Sequence, residues 1–208
     1  MVLAAEKKVA SKLLEQDISA EKLYTLNDNM VCAVAGINSD ASILINRARY
    51  YGQIYRRTYN EEISCEQLVR HLSDLKQGYT QHGGLSPYGV SLLYAGYDDD
   101  HEFQLFLSNP SGNYSGWKAT SIGSNNSTAQ TVLKQEFKEN LPLKDAVALA
   151  IKVLSKTMDS STLSSEKVEF ATIGKNKDGK IVQKIWSPAD IDLLIKESGL
   201  AKPQEDDE

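Results

Sequence analysis

A chain of 208 residues with 41% apolar and 25% charged side chains has the composition of one globular domain, large enough to bury a core without disulfide or metal staples. Its formal net charge of −5 leaves no basic footprint for nucleic acid or an anionic bilayer, and no apolar run approaches the ~20 residues of a membrane-spanning helix. Two cysteines, Cys32 and Cys65, make no disulfide framework and suit a reducing compartment.

Residues 2–9 read as a first strand, after a start, Met1-Val2-Leu3, that lacks the basic-then-apolar order of a secretory signal. Residues 22–26 and 30–37 read as two more strands joined by the turn Asn27-Asp28-Asn29. Ala33-Val34-Ala35-Gly36 is apolar at successive positions, as in a strand covered on both faces. Asn38-Ser39-Asp40 then supplies candidate caps for a helix with Ala41, Leu44, Ile45, Ala48, Gly52 and Tyr55 on one face. A capping box, Ser64-Cys65-Glu66-Gln67, opens a second helix that buries Leu68, Leu72, Leu75 and Tyr79.

Beyond a glycine-rich connector the period becomes that of strands. Residues 90–97 run apolar, Phe103, Leu105 and Leu107 alternate with polar neighbours past the tip Asp98-Asp99-Asp100-His101, and a strand at 116–122 follows. Residues 128–137 and 143–158 read as helices, the second with Leu143, Ala146, Val147, Ala150, Val153 and Leu154 along one side. Residues 168–173 and 180–186 form a hairpin across Asn176-Lys177-Asp178-Gly179. Ser187-Pro188-Ala189-Asp190 opens a last helix that stops before Gly199. Strands clustered between helix pairs predict an α+β fold of layered antiparallel sheets, with residues 1–200 one domain and 201–208 an acidic, disordered tail.

Few residues offer chemistry. His71, His82 and His101 stand apart from one another and from cysteine, so no metal-ligand spacing emerges. Asp98-Asp99-Asp100-His101 lacks the ligand alternation and glycine of a calcium loop and reads as a solvated hairpin tip. Cys65 sits where a helix start can activate a thiol, against the plainer reading of an inert one. Gly112 and Gly116 lie between strands and not before a helix, so they form no phosphate loop. No metal or cofactor is expected.

Two connectors carry the most specific signal. One is Gly78-Tyr79-Thr80-Gln81-His82-Gly83-Gly84 running into Pro87-Tyr88-Gly89-Val90. The other is Asn109-Pro110-Ser111-Gly112-Asn113-Tyr114 followed by Gly116-Trp117-Lys118-Ala119. With Ser19-Ala20-Glu21-Lys22-Leu23-Tyr24, Ala33-Val34-Ala35-Gly36-Ile37 and Lys152-Val153-Leu154-Ser155-Lys156-Thr157-Met158-Asp159, they resemble, in order and over nearly the whole chain, the α-type subunits of the eukaryotic proteasome core particle. One departure is Ser86, where that family usually carries arginine. Another is the start: the family's Tyr-Asp-Arg segment, its Gln-Val-Glu-Tyr-Ala helix and its first strand have no counterpart here, so the sequence is expected to be N-terminally incomplete relative to that family.

The resemblance implies a four-layer αββα sandwich of the N-terminal nucleophile hydrolase type. It implies a non-catalytic structural subunit, seated in a heptameric ring with neighbouring α-subunits and against a β-ring, in cytoplasm and nucleus. Lys22 and Gly36 match positions that form pockets for the C-terminal tails of regulatory ATPases and other activators. His82, Gly83 and Gly84 match the connector that lines the axial opening. The alternative, a self-processing β-type threonine peptidase, requires a freed N-terminal threonine; Met1-Val2 offers none, and Glu6 and Lys8 on the first strand lack a nucleophile to serve. A free small-molecule-binding α+β domain is the third reading, and neither nucleic acid nor membrane is expected as a partner.

Overall fold

The uninterrupted apolar run Met30–Gly36 (β3) has a simple cause: it is covered on both faces. In the structure, a computed structural model that describes residues 1–7, 13, 22–158 and 163–197, Met30, Cys32 and Val34 pack under helices with Leu44, Leu68 and Leu72. The intervening Val31 and Ala33 pack between two sheets with Leu3, Leu93, Ala171 and Ile173. Five antiparallel strands form the first sheet, in the order Leu23–Asn27 (β2), β3, Val90–Asp98 (β4), Glu102–Ser108 (β5) and Tyr114–Trp117 (β6). The second sheet is Val2–Glu6 (β1), Val168–Lys175 (β7) and Ile181–Ile185 (β8), in that order and also antiparallel.

Helices Asn38–Tyr59 (α1) and Cys65–Gln81 (α2) cover the outer face of the five-stranded sheet. Leu143–Thr157 (α4) and Pro188–Glu197 (α5) cover the three-stranded sheet through Val147, Ile151, Ile191 and Ile195 against Val168 and Phe170. Asn126–Glu136 (α3) packs on α4 through Ala129, Val132 and Val153. This is the expected four-layer αββα sandwich of antiparallel sheets.

The two sheets are joined at one strand by polar contacts. The carboxylate of Glu169, on β7 and almost fully buried, accepts from the backbone N–H groups of Lys22 (3.1 Å) and Leu23 (3.2 Å). Arg49 Nε donates to Thr25 O (2.9 Å) and Gln183 Nε2 donates to Asn27 O (2.6 Å), so side chains engage β2 along its length.

Several boundaries differ from the sequence reading. α1 begins at Asn38 with Ile37 before it and no side-chain cap, because Asp40 Oδ2 is committed elsewhere, accepting from Gly89 N at 2.8 Å. β6 begins at Tyr114, and residues 118–122 are not strand. Asn109–Asn113 closes as a tight turn, with Asn109 N donating to Asn113 O and Gly112 N to Asn109 O, so pairing with β5 starts earlier than expected. The chain then leaves the sheet toward α3, where Ser121 Oγ donates to Asn126 O. Leu143 is exposed at the first turn of α4, and in β5 the buried residues are the consecutive Phe106, Leu107 and Ser108. Phe103 instead lies edge-on against Tyr97 at 5.1 Å.

Both remaining cap predictions hold. Ser64 Oγ accepts from Gln67 N (3.4 Å), and Ser187 Oγ accepts from Asp190 N (3.3 Å) while donating to Asp190 Oδ2 (2.9 Å). The predicted turn between β7 and β8 forms around Asn176, whose Oδ1 accepts from Asp178 N and Lys180 N. The expected strand end at residues 8–9, the helix end near Gly199 and the acidic tail 201–208 lie outside the described residues.

Candidate functional site

Three of the sequence's candidate features come together at one end of the five-stranded sheet. Lys22 precedes β2 and its carbonyl accepts from Val34 N (2.9 Å). Gly36 ends β3 two residues further on, and it pairs with Val90, the first residue of β4. The connector 82–89 therefore arrives at the same edge that carries Lys22 and Gly36.

The connector is fixed at its root and free at its tip. α2 runs out at Gln81, with His82 N and Nδ1 both on Gly78 O at 3.1 and 2.7 Å. Residues 82–87 are exposed, and around Gly83 and Gly84 no atom lies within 4 Å of where a side chain would start. Then the chain is gripped. Tyr88 is buried, with its ring 4.7 Å from that of Tyr79. Gly89 N donates to Asp40 Oδ2 and Gly89 O accepts from Ile37 N (3.0 Å).

Lys22 is half-buried, and its ammonium is not idle: Nζ donates to Glu6 O at 2.6 Å, leaving further N–H donors on the same nitrogen. Gly36 is explained by its own chain. It adopts φ +131°, and a Cβ there would lie 2.2 Å from Gly89 O. A glycine is demanded wherever backbone crosses backbone this closely.

Sequence reasoning missed Lys76. Its side chain is fully buried, and Nζ donates to Val90 O (3.0 Å) and Ser108 Oγ (2.9 Å), with Ser108 O and Asn109 O at 3.5 and 3.4 Å. Burial lowers its pKa to about 8. The signal was present: Leu68, Leu72 and Lys76 recur every four residues, which sets a lysine in phase with a buried stripe.

The remaining candidates resolve as structure. His71 stacks on Tyr51 at 3.4 Å, with burial and then Arg47 lowering its pKa. Burial, reinforced by Asp98, pushes the Cys65 thiol up to about 12, and burial raises that of Cys32 as well, so neither thiol is activated. Asp98 Oδ1 accepts from Asp100 N and His101 N, closing the hairpin tip read from the sequence. Half-buried Asp98 and exposed Asp100 and His101 bring their polar ligand atoms together at this tip.

A sandwich of two antiparallel sheets between helix layers is the architecture of the N-terminal nucleophile hydrolase class. Within it, residues 1–173 match the family described as "Proteasome subunit", and the chain belongs to that family. It is 57% identical to Proteasome subunit alpha type-3 of Saccharomyces cerevisiae over 209 aligned residues, all of this chain and 81% of that relative. It is 59% identical to Probable proteasome subunit alpha type-3 of Schizosaccharomyces pombe, over 94% of this chain and 79% of the relative. Against Proteasome subunit alpha type-4 of Spinacia oleracea the identity is 54%, over 98% of this chain and 81% of the relative.

Proposed function

We propose that this chain is a non-catalytic α-type subunit of the proteasome core particle, in a heptameric outer ring of cytoplasmic and nuclear particles that degrade ubiquitin-tagged proteins. It packs against neighbouring α-subunits and a β-ring. Its Lys22–Gly36 corner helps form a pocket for the C-terminal tail of a regulatory ATPase or another activator, and His82-Gly83-Gly84 stands at the axial opening through which substrate passes.

What supports this reading most is that the chain's relatives bear α-type names, together with the placement of Lys22, Gly36 and the root of the 82–89 connector at one sheet end. Those names also count against the β-type peptidase. A small-molecule domain gains little support: the groove lined by Trp117, Leu133 and Phe137 holds about 160 Å³, below the roughly 300–1,000 Å³ of usual ligand sites.

The test is affinity isolation of the tagged chain from its own cells, followed by tail-peptide binding to the particle. The chain should emerge in a large assembly with related subunits; a stable monomer with all partners present overturns the proposal. Lys22→Ala should leave assembly intact and weaken binding of a single carboxylate-terminated tail peptide by roughly tenfold or more, since losing one charge-assisted hydrogen bond costs about 1.5–3 kcal/mol. Unchanged affinity removes Lys22 from the pocket.

A further inference from the structure

The two glycine-rich connectors are separate in sequence, yet they meet at one buried ammonium. Lys76 Nζ donates to Val90 O, at the residue where the 82–89 connector becomes β4. It also donates to Ser108 Oγ, and approaches Ser108 O and Asn109 O, where β5 gives way to the 109–113 turn. Tyr94, fully buried on β4, shares a 3.0 Å hydrogen bond with the same Ser108 hydroxyl. The second connector also lies directly on the helix that bears Lys76. A Cβ at Gly112 would sit 2.5 Å from Ser73 O and 2.8 Å from Gln77 N, so only a glycine fits there.

The chemistry of this cluster is unusual for a core. The groups that accept from the ammonium are three carbonyls and one hydroxyl, with no carboxylate among the described residues. The titratable groups that face it are Cys32 on β3 and Tyr94 on β4, and burial raises both, so neither supplies a negative charge near neutral pH. An ammonium buried without a counter-charge is costly, and an apolar side chain would fill the slot more cheaply. What lysine offers instead is three divergent donors on one nitrogen, enough to hold acceptors on two different strands from a third element.

We propose that Lys76 is a positioning residue whose ammonium pins the roots of both connectors, 82–89 and 109–113, to α2, and so sets where the free His82-Gly83-Gly84 tip stands. The pin rests on geometry alone. Its consequence for substrate passage rests on the proposed function above.

Hydrogen exchange on the chain, in the assembly isolated from its own cells, tests this. Lys76→Met keeps the stem and removes every donor. The hydrogen-bonded amides at the two connector roots, Gly89, Asn109 and Gly112, should exchange about tenfold faster in this variant, while those of α1 and β7 keep the wild-type rate. Ser108→Ala, which removes one acceptor and leaves the lysine, should accelerate the same amides about twofold, and it decides the matter if Lys76→Met fails to fold or assemble. No acceleration in the connectors, or an equal acceleration everywhere, overturns the pin, because either marks Lys76 as ordinary core. Peptide passage through the particle is read alongside. Loosened connectors with unchanged passage leave the pin standing and refute the channel role of the tip; unloosened connectors refute the pin whatever the passage.

Discussion

Gly36→Ala probes the corner where β3, α1 and the connector meet. Gly36 has φ +131°, and a Cβ built on it lies 2.2 Å from Gly89 O and 2.9 Å from Val90 Cα, whereas real Cβ atoms essentially never come within 3.0 Å of another heavy atom. Both obstacles are backbone, so no side-chain rotation relieves them. Gly89 is also held from two sides, by Asp40 Oδ2 on its N–H and by Ile37 N–H on its carbonyl, and making room means breaking one of these bonds. Strained backbone costs about 1–3 kcal/mol and a lost hydrogen bond about 1 kcal/mol, together roughly 2–4 kcal/mol. For a chain of this size the melting temperature should fall by about 4–16 °C. Gly78→Ala is the control: it lies inside α2 with nothing within 4 Å of a new Cβ, so alanine should hold or raise stability by about 0.5–1 kcal/mol. Thermal unfolding of both variants and the wild type, in one assembly state and at one concentration, makes the comparison. If the two variants melt alike, the close approach of Gly36 to the connector is wrong.

Three further outcomes follow from the same contacts. Because burial lowers the Lys76 pKa to about 8 from an ordinary 10.5, the folded state carries a penalty that is full below pH 8 and relieved as pH rises toward 10.5; the stability of wild type relative to Lys76→Met should therefore grow by about 2 kcal/mol between pH 7 and 9.5 in denaturant titrations, and a flat difference refutes it. At pH 8 the native chain should resist thiol labelling at both Cys32 and Cys65, each buried and raised in pKa, while the unfolded chain reacts at both; fast native labelling of either contradicts the structure. Ser64→Ala should cost about 0.5–1 kcal/mol by chemical denaturation, since its hydroxyl accepts from Gln67 N at the start of α2, and a neutral substitution means the cap is idle.

Much of the fold was legible because its periodicities were clean. β3 announced two-sided cover by its unbroken apolar run, and α2 announced its start by Ser64 and its buried side by Leu68 and Leu72. What escaped was decided by contacts distant in sequence. Asp40 looked like a cap for α1, but Gly89, 49 residues away, takes its carboxylate. The start of β6 depends on how tightly Asn109–Asn113 closes, which local composition does not reveal. Sequence singled out Lys22, Gly36 and the connector tip as candidates, but not the hydrogen bond from Lys22 Nζ to Glu6 O or the close approach to Gly89 that requires Gly36. Lys76 was hidden because a lysine in a helix is ordinarily a solvated one; only its phase with Leu68 and Leu72 hinted otherwise.

The engagement of β2 by Glu169, Arg49 and Gln183 has a consequence at the scale of assemblies. β2 is an outermost strand of its sheet, and an outermost strand with unspent N–H and C=O groups invites another strand to join, then another, without a natural stop. Here Leu23 N–H, Thr25 C=O and Asn27 C=O are already taken by side chains of the same molecule, which blunts that invitation. At this edge a neighbour meets shaped side-chain surfaces instead of a free backbone ladder. Such surfaces fix the rotation between neighbours, and whether that rotation closes on itself decides between a ring and an open filament.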